Sequence, residues 1–169
     1  MKNPREKPGD NLEFRAELLK ERIYATLALL AILLTIDPAH TSTLKAAIVV
    51  LGTALSLWGA SLIAAGMSYR VVMQRPEPET SFKRRVVLHS PLLAAAAFPL
   101  LTIALSALGF ISLSVAVDVS IGASLLLLLG WSLLSARAVG AGRLATLVVA
   151  AIELAIGLAV VWLKMTVGH

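Results

Sequence analysis

The chain has 169 residues, of which 58% are hydrophobic and only 15% charged, and its mean hydropathy is +0.85. A soluble domain is about half apolar and a quarter charged, so this composition excludes an ordinary soluble protein and predicts an all-α bundle of membrane helices. The absence of cysteine excludes disulfides, thiolate metal sites and a cysteine nucleophile, and the net charge of +5 is more simply explained by membrane topology than by nucleic-acid binding, which we do not expect.

The amino-terminal segment, residues 1–22, is charged and predicts a cytoplasmic amphipathic helix without the features of a signal peptide. Asp10 is a candidate helix cap, with Glu13 as its capping-box partner. We expect this helix to continue into a first span, residues 23–36, which ends at Asp37-Pro38. Its 14 apolar residues are few for a membrane core of about 30 Å, and an alternative lays this run flat on the membrane as an anchor, leaving four spans.

The second predicted span, residues 44–69, carries small residues at every fourth position. This stripe leaves one helix face nearly without side chains, so another helix can approach closely there. Met67, near the end of the span, is either a thioether metal ligand or an ordinary filler of packing gaps. The residues of the small stripe are Gly52, Ser56, Ala60 and Ala64.

Residues 70–90 are polar and charged, and we expect them to form the main cytoplasmic loop, with two prolines favouring extended chain. Lys83, Arg84 and Arg85 form a basic cluster just before the third span. Such a cluster is commonly the anchor that keeps a loop in the cytoplasm. Contact with anionic lipid is the other interpretation.

Three further spans are predicted at residues 91–110, 115–136 and 144–163, followed by an outer tail at 165–169. Pro91 suits the first turn of the third span, and Pro99 in its middle removes a backbone donor, for which Thr102 is a candidate substitute. The transmembrane domain therefore covers residues 23–164.

Lysine and arginine determine the predicted orientation. Thirteen of the 15 lie in the amino-terminal segment, the 70–90 loop or the 137–143 connection, and only Lys45 and Lys164 lie on the opposite side. Positive residues stay in the cytoplasm, so we expect the amino terminus inside, the carboxy terminus outside, and a multi-pass protein of the plasma membrane. Five short spans with a small-residue stripe also favour a homo-oligomer.

Glu153 is the strongest candidate for chemistry, because it lies near the middle of the fifth span, where an ionised carboxylate is expensive. Gly157 follows one turn later on the same helical face, which favours burial against protein. Glu153 is either an ion or proton site or a protonated hydrogen-bonding group between helices. Asp118 in the first turn of the fourth span either favours a helix amino terminus or marks the outer mouth of a cation pathway.

We do not expect an enzyme. An intramembrane aspartyl protease needs two carboxylates that share a proton, and the spans offer one Asp and one Glu at different depths. No phosphate-binding or HExxH string occurs, and His40, His89 and His169 are scattered over both sides of the membrane. We predict no resident cofactor. A bound divalent cation stays open as an alternative.

The predicted arrangement resembles the vacuolar iron transporter family over about residues 22–164. The shared features are five spans, the inside amino terminus, the outside carboxy terminus and a main loop after span two. The small-residue string at 61–69, followed by Gln74, and the glycines Gly142 and Gly157 are also similar in character. The resemblance implies a transport scaffold that works as a dimer.

The iron-site residues of that family are missing here. Residues 24–36 contain no acidic side chain, Met67 or Ser68 stands where the family has Glu, and the loop offers only Glu77 and Glu79. The resemblance therefore implies the scaffold without iron transport. The string Arg-Ile-Tyr-Ala-Thr at 22–26 is also similar to uncharacterised small bacterial integral membrane proteins, which implies no function.

Two hypotheses follow. The leading one is a cation transporter or channel-like protein, for a divalent metal or coupled to protons, in which Glu153 binds the ion, Asp118 marks the outer mouth and Met67 contributes from the inner side. The alternative is a non-transporting scaffold or accessory protein that binds a partner or anionic lipid.

Overall fold

The computed structural model describes residues 8–74, 76 and 78–138, together with isolated positions between 142 and 162. Every regular element in this part of the chain is an α-helix, which confirms the all-α class. In chain order the helices are α1 (Pro8–Thr35), α2 (Thr43–Met73), α3 (Glu79–His89), α4 (Pro91–Ala107) and α5 (Leu113–Ala138). Most of the predicted fifth span lies outside the described residues.

Three helical stretches of the described chain are long and apolar enough to cross a membrane, namely Thr43–Met73, Ser81–Ala107 and Leu113–Leu134. The first is α2, the second joins most of α3 to α4, and the third is most of α5. α1 is not among them, because charged residues precede its short apolar run. Helices of this length and composition indicate a membrane-embedded protein.

α1 joins the charged amino-terminal segment to the first apolar run without a break, as the sequence predicts. It ends just before Asp37-Pro38, and the Asp37 carboxylate accepts a hydrogen bond from the Ala39 amide at 2.9 Å in the turn that follows. Leu29 and Leu33 of its apolar half are buried in the core. This run therefore packs among the other helices.

The prediction of a loop over residues 70–90 is wrong. α2 continues to Met73, where Gln74 ends it in the left-handed conformation and donates its amide to the Arg70 carbonyl at 2.9 Å. Between the two helices Pro76 lies outside regular secondary structure and Pro78 is extended, in keeping with the missing amide donor of proline. Pro78 then caps α3, which forms because it has a face to bury against α1 and α2.

α3 and α4 meet at Ser90 and Pro91. Pro91 begins α4, as predicted, and cannot donate to the Val87 carbonyl one turn earlier. The Ser90 hydroxyl donates to that carbonyl instead, at 2.8 Å. Ser90 itself keeps helical dihedrals, so the two helices follow each other with only a local interruption.

A tight turn joins α4 to α5. Gly109 has a φ of 81°, which favours glycine, and it donates its amide to the Ser106 carbonyl at 3.0 Å. Phe110 donates its amide to the Leu105 carbonyl at 3.1 Å. These two bonds define a Schellman motif, which ends α4 and reverses the chain within a few residues.

The core lies between α1 and α4, which contact each other and both contact α2 and α5. Its buried apolar residues come from four helices, so the core joins the whole bundle. They are Leu29, Leu33, Ile36, Ala46, Val50, Ala54, Ala96, Ile103 and Val117.

Candidate functional site

The charged half of α1, the last turns of α2 and all of α3 lie together at one end of the bundle, which we call the basic end (residues 13–22, 65–74 and 81–90). Three side-chain contacts fasten α3 there. They join α3 to α2 through Arg85, and to α1 through Arg84 and His89. The basic end is therefore a packed surface and not an extended loop.

Arg85 is the residue that fastens α3 to α2. Its side chain is buried, with 8% of the residue exposed, and Nη1 donates a hydrogen bond to the Leu62 carbonyl oxygen at 2.8 Å. Its guanidinium carbon also lies 5.6 Å from the centre of the Phe82 ring. Arg85 thus departs from the predicted basic cluster, because it faces protein and not lipid.

Gly66 makes this position of Arg85 possible. Gly66 is buried, and a Cβ built on it would clash with Nη1 of Arg85. Leu62, whose carbonyl accepts the hydrogen bond, lies one turn earlier on α2. Gly66, a small residue in a membrane helix, therefore makes room for the guanidinium group of Arg85 and not for a second helix.

Glu21 and His89 form a second buried contact, between α1 and the end of α3. Oε2 of Glu21 lies 3.2 Å from Nδ1 of His89, and the two side chains are only 13% and 9% exposed. In the sequence His89 is one of three scattered histidines. Nothing in the local sequence pairs it with a residue 68 positions earlier.

Next to these contacts a cleft of about 460 Å³ opens between α1, α2 and α3, which we call the α2–α3 cleft. Its lining combines apolar side chains with hydroxyl and charged groups. The lining residues are Glu17, Ala65, Ser68, Tyr69, Val72, Met73, Ser81, Arg84, Arg85, Leu88 and His89.

Lys83 and Arg84, the other members of the predicted basic cluster, are exposed at the surface. The guanidinium carbon of Arg84 lies 4.8 Å from the centre of the Phe14 ring, a cation–π distance. This contact orders Arg84 beside the cleft. A basic cluster of three therefore divides into two exposed cations and one buried anchor.

A second, smaller cleft of about 330 Å³ lies where α1 meets α4 and α5. Arg22 lines it, with its guanidinium carbon 5.4 Å from the centre of the Trp131 ring. Thr26 and Ser90 add hydroxyl groups, and the rest of the wall is apolar.

Deeper in the bundle, Thr102 of α4 meets Ser120 of α5. Their hydroxyl oxygens lie 2.8 Å apart, and each hydroxyl also lies within hydrogen-bond distance of a carbonyl of its own helix, Pro99 for Thr102 and Ala116 for Ser120. The two hydroxyl groups have one proton each for these three contacts, so only two of the three hydrogen bonds exist at any one time. Thr102 bonds Pro99 itself, and not the carbonyl of Ala95 that Pro99 leaves without its helical donor.

The predicted ion site is not brought together in the described part of the chain. Asp118 is exposed near the start of α5, and Met67 is 61% exposed on α2. Among the described residues no three His, Asp or Glu side chains form a group suited to a metal ion. Glu153 and Gly157 lie outside the described residues.

The small-residue stripe of α2 faces outward. Gly52, Ser56, Ala60 and Ala64 are exposed, and a Cβ on Gly52 would meet nothing within 4 Å among the described atoms. α2 packs on the bundle through another face, with Ala46, Val50, Ala54 and Gly66 buried. The close helix approach predicted for this stripe stays a prediction, because none of the described helices covers it.

No family model, no curated protein and no solved structure matches the chain.

Proposed function

We propose that this protein is a five-span membrane protein, with its amino terminus in the cytoplasm, that binds anionic phospholipid at its basic end and acts as an accessory protein or scaffold without transport. The α2–α3 cleft is the observation that carries this proposal. The positive-inside rule supports the orientation, because the basic end then faces the cytoplasmic leaflet, which is rich in anionic lipid.

The lining of the cleft suits both parts of a phospholipid, the apolar acyl chain and the charged headgroup. Ala65, Val72, Met73 and Leu88 offer an apolar wall for the start of an acyl chain. The same lining includes the hydroxyl groups of Ser68 and Ser81 and the guanidinium groups of Arg84 and Arg85, which suit a phosphate ester. A volume of about 460 Å³ falls in the range of small-ligand sites.

The charge of the lining favours an anion over a cation. Arg84 and Arg85 contribute two positive charges and Glu17 one negative charge. Arg84 is the principal phosphate contact in this proposal, because it is exposed, whereas Arg85 is buried against the Leu62 carbonyl. Phe14 holds Arg84 near the cleft and lowers the entropy lost on binding.

Thermal unfolding of the full chain in a neutral detergent tests the proposal. Phosphatidylglycerol is added to one sample and phosphatidylcholine to another. We expect phosphatidylglycerol to raise the Tm by about 3 °C more than phosphatidylcholine. Arg84→Gln should weaken phosphatidylglycerol binding about fivefold, because one basic residue near a membrane surface contributes about 1 kcal/mol.

The matched control is Arg15→Gln, which removes the same charge from the basic end, on α1, but outside the cleft lining. Arg15→Gln should keep the preference for phosphatidylglycerol. Equal Tm shifts with both lipids would overturn the proposal. A shift produced as strongly by water-soluble glycerol phosphate would replace the lipid with a soluble ligand.

Cation transport is the second candidate, and a sequence observation favours it. Glu153 interrupts an apolar run of membrane-span length, where an ionised carboxylate is energetically costly and commonly has a functional role. In this hypothesis Glu153 binds or relays a divalent metal or a proton in the middle of the membrane.

Liposomes that contain a pH dye and a divalent-metal dye test this candidate. Under an imposed gradient, Glu153→Gln should abolish flux that the unaltered protein shows. Glu13→Gln is the control and should leave flux unchanged, because Glu13 is an exposed carboxylate of α1 with no part in the hypothesised pathway. Absence of flux for protons and divalent metals, or unchanged flux in Glu153→Gln, would remove Glu153 from this role.

A further inference from the structure

The smaller cleft, of about 330 Å³, lies where α1 meets α4 and α5, and we call it the α1–α5 cleft. Leu18, Arg22 and Thr26 line it from successive turns of α1, and Leu127 and Trp131 line it from α5. Arginine and tryptophan favour the boundary between water and hydrocarbon, so the cleft lies at the level of lipid headgroups. It shares no lining residue with the α2–α3 cleft, and its ligand is therefore independent of the proposed function.

Arg22 supplies the charge of the α1–α5 cleft. Among the described residues that line the cleft, Arg22 alone is charged, and no described carboxylate lies within ion-pair distance of it. Its guanidinium carbon lies 5.4 Å from the centre of the Trp131 ring, a cation–π distance that orders the side chain at the cleft. A guanidinium only donates hydrogen bonds, so this cation suits one phosphodiester group.

Two hydroxyl groups of the lining have their protons already engaged. The Ser90 hydroxyl donates at 2.8 Å to the Val87 carbonyl, which Pro91 leaves without its helical donor. The Thr26 hydroxyl donates at 2.8 Å to the Arg22 carbonyl. A hydroxyl has one proton and two lone pairs, so Ser90 and Thr26 offer acceptors to a ligand. The cleft thus combines the donors of Arg22 with two hydroxyl acceptors.

We infer that the α1–α5 cleft binds phosphatidylethanolamine, with the lipid phosphate on Arg22 and its ammonium group on the hydroxyl oxygens of Ser90 and Thr26. A phosphodiester only accepts hydrogen bonds and an ammonium group only donates them, so this headgroup complements the cleft. A charged donor makes stronger hydrogen bonds than a neutral one, which favours an ammonium group over the hydroxyls of phosphatidylglycerol. Ala94 and Leu127 continue the lining as an apolar wall for an acyl chain.

Phosphatidylcholine separates the two contacts, because its trimethylated nitrogen has no N–H donor while its phosphate is the same. Each lipid carries a fluorescent label on one acyl chain, and its binding to the full chain is measured in neutral detergent. We expect phosphatidylethanolamine to bind about fivefold more tightly than phosphatidylcholine, the usual effect of about one net hydrogen bond. Arg22→Gln should weaken binding of both lipids about fivefold, and Arg15→Gln on the same helix, outside the cleft, should weaken neither.

Ser90→Ala should remove most of the preference for phosphatidylethanolamine and leave binding of phosphatidylcholine unchanged. Its matched control is Ser81→Ala, which removes a hydroxyl of α3 that lies outside the α1–α5 cleft. If Ser90→Ala does not fold, Thr26→Val provides a second variant that keeps the shape of the side chain and should reduce the same preference. Thr53→Val is its control, because that hydroxyl also donates within its own helix, at 2.7 Å to the Val49 carbonyl, but on α2.

Four outcomes would overturn the inference. The first is equal affinity for phosphatidylethanolamine and phosphatidylcholine in the unaltered chain. The second is a preference that survives both Ser90→Ala and Thr26→Val, or that disappears in Arg84→Gln, since the lipid would then lie elsewhere. The third is tighter binding of phosphatidylglycerol than of phosphatidylethanolamine in Arg84→Gln, which would assign the cleft to an anionic lipid. The fourth is equally strong binding of water-soluble phosphoethanolamine, which would replace the lipid with a soluble ligand.

Discussion

α1 and α2 show that the apolar character of a helix and its burial in the bundle need not go together. α2 is 31 residues long and contains one of the apolar stretches able to cross a membrane. Only 17% of its most apolar 18 residues are buried within the bundle. α1 has a short apolar half, but it supplies much of the buried core and contacts both α4 and α5. The helix with the weaker hydropathy signal is the central one.

This contrast teaches that hydropathy measures contact with lipid and not importance to packing. A helix that faces lipid must be apolar along a full membrane thickness. A helix surrounded by other helices is matched to its neighbours, so a shorter apolar run and a nearby Glu21 are tolerated when protein covers them. Four experiments would break or sharpen this comparison.

The largest expected effect is a cavity in α1. Leu33 has no exposed surface, whereas Leu51 of α2 is 46% exposed. Leu33→Ala should lower the free energy of unfolding in detergent by about 2–3 kcal/mol, because lost packing contacts are not replaced. Leu51→Ala is the control and should change it by less than about 0.5 kcal/mol. Equal losses would mean that α2 is as tightly packed as α1.

The next effect concerns Gly66, where α2 packs closely against Arg85 at the basic end. Gly66→Leu should displace Arg85 from the Leu62 carbonyl and cost about 1–3 kcal/mol, as overpacking usually does. Thermal unfolding would measure the loss. Gly52→Leu introduces the same side chain where no described atom lies within 4 Å of a Cβ, and it should cause no loss. A harmless Gly66→Leu would show that Arg85 does not anchor α3.

A smaller effect is expected from the hydroxyl contact between α4 and α5. Thr102→Val should cost about 0.6 kcal/mol, a common value for hydrogen bonds between membrane helices, because Ser120 keeps its bond to Ala116. Thr53→Val on α2 removes a hydroxyl that donates to the Val49 carbonyl of its own helix. Its unfolding free energy should stay nearly unchanged. A loss above about 2 kcal/mol in Thr102→Val would mark a larger polar network.

The smallest effect on the stability of the single chain is expected at the outward stripe of α2. Ala60→Leu should leave the unfolding free energy within about 0.5 kcal/mol, because Ala60 is exposed. If the stripe joins two copies, the same substitution should shift the protein from dimer to monomer in cross-linking and in analytical ultracentrifugation. Ala97→Leu on the exposed side of α4 should leave the oligomeric state unchanged. A dimer that survives Ala60→Leu would place the interface elsewhere.

Much of the fold could be predicted from local chemistry. The apolar runs predict α2, α4 and α5, Asp37-Pro38 predicts the end of α1, and Pro91 predicts the start of α4, all as found. These features depend on a few neighbouring residues and on the length of a hydrophobic run. The predicted loop failed because α3 is polar on average, and its helical conformation depends on burial against α1 and α2.

The chemistry of the basic end could not be predicted, for a related reason. Arg85 and Lys83 look equivalent in the sequence, and only the rotation of α3 on α2 buries one and exposes the other. Glu21 and His89 come from distant parts of the chain. Gly66 is the sequence feature that comes closest to predicting this site. It lies off the exposed small-residue stripe of α2, and it makes room for a guanidinium group and not for another helix.

The turn between α4 and α5 bears on how the protein is made. Its residues, 108–112, carry no charge, and the Schellman motif closes it with hydrogen bonds of its own. Moving such a turn through a bilayer exposes few unsatisfied groups to hydrocarbon. α4 and α5 are therefore suited to enter the membrane together as one helical hairpin during synthesis, with Thr102 already beside Ser120 before the rest of the bundle assembles around them.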